Sequence, residues 1–293
     1  MSMSGALAGA AAGALGAVLC SGMLWRHSTE GQALDTSLQR RWPGIGSALA
    51  FTGTFFALLV PAHADDARWR DIESRIQYDY YTEDARALAA LEDTVAGADT
   101  NELLRDYYLG LLAYREALLA AQGAAGATPG SAGQLANRCV THLDAALAVK
   151  DDFAEALALK AACVLAPLAG GAYAPLAAHH VHKDISRALQ LAPANPRVLL
   201  VDAISDYQLP PSAGGNKERA LAKLRQAAAA FEAERRDTQG VPGWGAAEAS
   251  VFLARDLLDH ADAVAARDAL ERALVSAPEF AQARRLLAKI ISG

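Results

Sequence analysis

One device, used more than once, constrains this fold more than any other feature of the sequence. In Ala261–Ala283 the small apolar residues Ala266, Leu270 and Ala273 recur at helical spacing. Pro278 ends that helix, and Phe280 to Ala283 opens another. In Leu135–Ala156 the same places are held by Cys139, Leu143 and Ala146. A turn at Asp151-Asp152 and a second Phe-Ala-x-Ala, Phe153 to Ala156, follow. A third copy of the turn runs from Arg187 to Pro196, with Ala188 five residues before Pro193. Repetition of this kind marks stacked supersecondary units. No unit can bury its apolar face alone, so each needs neighbours.

Composition agrees. Alanine and leucine dominate, aromatics make up 6% of the chain, and strand-like runs of Val, Ile and Thr are nearly absent. The predicted class is all-α. The net charge is −6, and Lys and Arg are scattered among Asp and Glu without a basic stripe. Nucleic acid is excluded as a partner, because phosphate binding needs a local positive field.

Residues 1–64 read as a targeting region. Gly5 to Val18 is an uncharged Ala/Gly run. Ile45 to Val60 is an apolar core behind Arg40 and Arg41, and Pro61-Ala62-His63-Ala64 ends it. A basic flank, an apolar core and an Ala-x-Ala site made by Ala62 and Ala64 form a secretory signal peptide over about residues 36–64, with the cut between Ala64 and Asp65. The alternative is an inner-membrane anchor through residues 45–60, a stretch short for a span of about 20 residues. Translation from Met23 would place the signal at an N-terminus. Lipidation at Cys20 is not expected, since Leu19 is too large for a lipobox.

Residues 65–293 read as one helical domain. The spacing predicts helices over 66–81, with Trp69, Ile72 and Ile76 on one face, and over 83–95. A third, 101–121, is capped by Thr100 and holds Gly110 where a partner helix could approach. After a Gly/Ala/Ser/Pro loop at 122–133, helices follow over 135–149, 153–165, 176–191 and 197–208. Pro175 opens the third of these at its first turn. Leu209 to Gly215 is an insertion, and Asn216 caps a helix over 217–234 that faces inward with Ala220, Leu224 and Ala227. Helices 246–258, 261–276 and 280–291 end the chain. The count is about eleven helices, five pairs and a cap, at a period of roughly 34 residues.

The turn motifs, together with Leu109-Gly110 and Tyr114, resemble tetratricopeptide (TPR) repeats. The tryptophan common early in a first TPR helix is missing, with Ser250 and Leu157 in its place. The resemblance implies a right-handed α-solenoid of antiparallel helix pairs. Pro210-Pro211, Gly214 to Lys217 and Ala220, with Pro242 to Gly245, are similar to bacterial exported TPR-like proteins. Among these is the periplasmic T component of some TRAP transporters, which implies a helper that binds a partner or hands on a small ligand.

Three constellations could carry function. By position, the first helices of TPR-like pairs would line a concave face with Tyr107, Leu111 and Tyr114, then Ala158 and Leu165. Arg197, Ile204 and Tyr207 would follow, then Glu248, Val251 and Arg255. Tyr and Arg are favoured anchors, and Arg197 and Arg255 would meet acidic groups; the other reading makes the tyrosines core. His179 and His182 share a helix face and could ligate zinc or copper, or simply be surface. Cys139 and Cys163 stand equally far from the turn near Asp151, so an antiparallel pair would bring them together. They form either a disulfide in an oxidising compartment or two buried thiols.

No Gly-rich phosphate loop, Gly-x-Ser-x-Gly or His-Glu-x-x-His occurs, so neither catalysis nor a cofactor is expected. The expectation is therefore a non-enzymatic periplasmic scaffold that binds a protein or peptide along its concave face. The alternative is a small-molecule binding helper of a transporter.

Overall fold

A computed structural model of the protein describes residues 62–98, 101–170, 175–237 and 242–292. Among these residues the structure is helical, with no strand. Its α-helices are α1 (Ala62–Tyr81), α2 (Ala85–Ala90), α3 (Glu92–Ala96), α4 (Glu102–Ala121), α5 (Ala132–Val149), α6 (Ala154–Leu165), α7 (Pro175–Leu191), α8 (Pro196–Gln208), α9 (Lys217–Asp237), α10 (Ala246–Asp259), α11 (Ala263–Ser276) and α12 (Ala281–Ser292). None of the described helices is long and apolar enough to cross a membrane. The apolar stretch 45–60 lies outside the described residues, while Ala62 and Ala64 fall in the first turn of α1.

Local chemistry sets the helix boundaries. Asp84 caps α2 by accepting from the amides of Arg86 and Ala87. The helix expected over 83–95 is two, because at Leu91 the backbone tightens to an i→i−3 bond onto Leu88 before α3 resumes. Thr100, the expected cap of α4, lies outside the described residues; Asn101 caps α4, its Oδ1 accepting from Leu104 N–H at 3.1 Å. Asn195 and Asn216 do the same for α8 and α9. The prolines at 210 and 211 hold the chain to a single 3-10 turn, Pro211–Ala213.

Burial then alternates along the chain. Helices α5, α7, α9 and α11 bury one stripe each. In α5 the stripe is Ala136, Cys139, Leu143 and Ala146; in α11 it is Ala266, Ala269, Leu270 and Ala273. Helices α4, α6, α8 and α10 are buried on nearly every side, and in α4 the buried run is unbroken from Asp106 to Leu119. Each helix from α4 onward packs on the next, and α4, α6, α8 and α10 also touch one another in order. They form an inner row, with the one-faced helices outside it.

Small residues allow the close approach. A Cβ on Gly110 would lie 2.7 Å from Leu143 Cγ, so only glycine lets α5 seat on α4. The ends of this unit also meet. The rings of Tyr80 and Tyr81 on α1 pack against Phe280, with centroids 6.0 and 4.4 Å apart. Arg285 on α12 pairs with Glu83.

Candidate ligand cleft

The inner faces that would line an open groove are filled by each other. Tyr107, Leu111, Tyr114, Arg197 and Ile204 are all buried, which corrects their assignment to a solvent-facing concave surface. Arg197 and Ile204 lie on α8, which packs between α6, α7, α9 and α10, while on α4 the contact between α1 and α10 closes over the helix. Arg115, 1% exposed, pairs there with Glu248, 4% exposed. Its Nε donates to Gln77 Oε1 at 3.1 Å, and its guanidinium lies 4.3 Å from the Tyr80 ring centroid. Tyr81 O–H donates to Glu248 Oε2 at 2.9 Å. Burial alone would lower the Arg115 pKa, and the adjacent Glu248 carboxylate reverses this and holds it above its usual value.

A second polar cluster lies beside the first. Glu73 on α1 accepts from Tyr108 O–H at 2.6 Å and from Gly243 N–H at 2.8 and 3.0 Å to its two oxygens. Burial still raises its pKa, against the lowering effect of those bonds. Trp244 donates its indole N–H to the Tyr107 hydroxyl oxygen at 2.8 Å. Gly245 makes this possible. It has φ 114°, and a Cβ there would lie 2.6 Å from Phe231 Cζ. Glycine alone turns Trp244 inward and starts α10.

Above these clusters is a cleft of about 310 Å³ between α1, the segment 243–247 and the end of α11. Its walls include Gln77, Tyr78, Tyr81 and Trp244, and the carboxylates of Glu73 and Glu279; among the described residues no Lys, Arg or His lines it. Tyr78 is 56% exposed, a large aromatic face presented to solvent. Among the described residues the Glu279 side chain has no hydrogen bond or ion pair. The cleft thus offers an aromatic wall and a free carboxylate, a pairing that attracts planar or cationic groups.

The other candidates fall elsewhere. Arg197 makes two hydrogen bonds to Glu234, at 2.8 and 3.0 Å, so its charge is used internally. Tyr207 donates to Asp259 at 3.1 Å and lies under Lys217 Nζ at 3.2 Å. The Arg255 guanidinium lies 5.5 Å from the Phe252 ring centroid. His179 is exposed, whereas His182 Nε2 is 3.0 Å from Ala213 O and holds the Pro211–Ala213 turn. The described residues hold no group of three metal-ligating side chains. Cys139 and Cys163 are joined in a disulfide, with Cα atoms 6.1 Å apart, tying α5 to α6.

Sequence reasoning did not single out Glu73, Gln77, Tyr78 or Arg115. For Arg115 a signal existed. Its helical neighbours Leu111, Leu112, Leu118 and Leu119 are all leucine, and a charge set so deep in an apolar run needs a buried partner.

The chain matches no family profile and no curated protein. Among solved structures it is similar to the HusA haemophore from Porphyromonas gingivalis, at TM-score 0.52 and 20% identity. The match covers 68% of this chain and 93% of that one. At this identity the likeness is one of fold.

Proposed function

We propose that this chain is an exported, non-enzymatic binding protein, and that the cleft between α1 and α10 is its ligand site. In this reading the helices form a TPR-like stack of antiparallel pairs, and residues 1–64 direct it to the periplasm, with an inner-membrane anchor through 45–60 as the alternative. The observation that carries the proposal is the cleft itself. Tyr78, Tyr81 and Trp244 give it aromatic surface, Glu73 and Glu279 give it carboxylates, and among the described residues none of its lining is basic. Its ligand is a neutral or cationic planar group.

This moves the weight from the scaffold reading to the small-molecule helper, as in a T component. An extended peptide laid along Tyr107, Leu111, Tyr114 and Ile204 would have to displace core. A peptide end bearing Lys or Arg is still within the cleft's chemistry. The structural neighbour is a haemophore, which fits a binding role. Haem fits this cleft less well, because its two carboxylates would meet Glu73 and Glu279.

Native mass spectrometry of the protein recovered from the cell envelope tests this. A bound mass is expected in the unmodified chain and lost in a Tyr78→Ala/Glu279→Gln variant. Equal occupancy in both would refute the cleft assignment. Saturable haemin binding lost in Tyr78→Ala would keep the cleft and overturn the charge argument.

A further inference from the structure

A second cleft lies on the outer side of the helix rows, where α9 and α11 flank α10. It encloses about 270 Å³. Three helical stripes converge on it: Arg225, Ala228 and Glu232 from α9; Ala246, Ser250 and Leu253 from α10; Arg272 and Ser276 from α11. The spacing of three and four residues within each stripe is that of a single helix face. Phe231, nearly fully buried, contributes to the floor together with Leu253.

The cations of this cleft differ from Lys160, Lys223 and Arg219. Lys160, between α5 and α7, is neutralised by Asp144 at 2.7 Å and Asp184 at 3.7 Å. Lys223 is held by Asp202 and Asp206 at 2.7 and 2.8 Å, and Arg219 also pairs with Asp206. Arg225 and Arg272 are both exposed, and neither has an ion pair or side-chain hydrogen bond among the described residues. Glu232, the carboxylate in the lining, is itself engaged. Two unpaired guanidiniums over an apolar floor match a carboxylate that carries a hydrocarbon body. The planar fork of arginine pairs with carboxylate oxygens two at a time, and the floor removes apolar surface from water. The volume limits that body to a short one.

We propose that this cleft is a binding site for a small amphiphilic carboxylate. The head group sits between Arg225 and Arg272, and the body rests on Ala228, Phe231 and Leu253. The site adjoins the cleft between α1 and α10, with Ala246 and Ser276 in the wall between them, and has the opposite charge preference.

Titration calorimetry on the full chain tests it with hexanoate, hexanol and inorganic phosphate as probes. Hexanoate is expected to bind, and hexanol, with the same body and no charge, roughly ten-fold or more weaker. Arg225→Gln/Arg272→Gln should lower hexanoate affinity by about the same factor and leave the unfolding midpoint unchanged. Ala228→Glu, which keeps both arginines and sets a carboxylate on the wall, should abolish hexanoate binding. Any one of four results overturns the proposal: no heat with hexanoate, equal affinity for hexanol, equal affinity for phosphate, or full affinity in both variants.

Discussion

The Arg115–Glu248 pair gives the sharpest test of how this core is held. Glu248→Gln keeps the shape of the side chain and an oxygen that can still accept from Tyr81, whose hydroxyl is 2.9 Å from the carboxylate. It removes the charge and turns the oxygen that accepts from Arg115 into an NH2 donor. Arg115, 1% exposed, would then be a buried cation with Gln77 and aromatic faces as its remaining partners. Breaking a buried pair from one side costs about 3–5 kcal/mol. In a folded unit of this size each kcal/mol shifts the midpoint by about 2–4 °C, so Tm should fall by roughly 6–20 °C. Arg115→Met strands Glu248 in the same way. The double variant Arg115→Met/Glu248→Gln removes both charges and should cost less than the sum of the singles by about 1–3 kcal/mol. Urea unfolding at pH 7, with m unchanged across the series, measures all three. A cost below about 1 kcal/mol for Glu248→Gln, or an additive cycle, would mean the pair is solvated and the reasoning is wrong.

Other predictions concern single features. Asp256 is fully buried, and neither carboxylate oxygen has a hydrogen-bond partner; His260 Nδ1 is 3.5 Å from one of them. Burial raises its pKa, with His260 opposing, so the folded protein takes up that proton more readily than the unfolded chain. The ionised form therefore costs stability above the raised folded pKa; the cost shrinks as pH falls through that value and is gone below the unfolded carboxylate's pKa. Asp256→Asn should accordingly stabilise by about 1 kcal/mol at pH 7, with the gain shrinking as pH is lowered in a series of unfolding curves. Gly110→Ala, whose Cβ would meet Leu143, should destabilise by about 1–3 kcal/mol through overpacking, read by the same unfolding assay. Reducing Cys139–Cys163, a loop of 24 residues, should cost about 3–4 kcal/mol, seen as a lower urea midpoint in reductant.

Helical period and turn chemistry made most of the fold legible. Every alanine and leucine assigned inward on 135–149, 217–234 and 261–276 is buried, because a one-faced helix writes its packing into its own spacing. Gly110 was readable for the same reason. The site was not readable. A helix such as α4, buried on all sides, has no polar face to betray its orientation, so Tyr107 and Tyr114 could be read as groove or as core. What decided between them was α1 meeting α10, and no local pattern encodes a contact between residues 81 and 248. The cleft inherits that problem, since its walls come from three distant stretches. Arg197 shows the limit in one residue. Its place on α8 was correctly read, and its partner Glu234 lies 37 positions away.

The contacts that α1 and the turn after it make with α10, Phe280 and α12 also bear on how the chain reaches its native state. A stack whose units touch only their neighbours can fold from any point and fray from its ends. Here Arg115 waits for a residue 133 positions later, and Glu83 for one 202 positions later. Such separations slow folding, because loop-closure entropy is spent before the contact is gained. A nascent chain halted before Glu248 would hold a guanidinium in its apolar centre with no counter-charge. The early helices can form but cannot lock, and the unit should fold in a single late step once α10 has emerged.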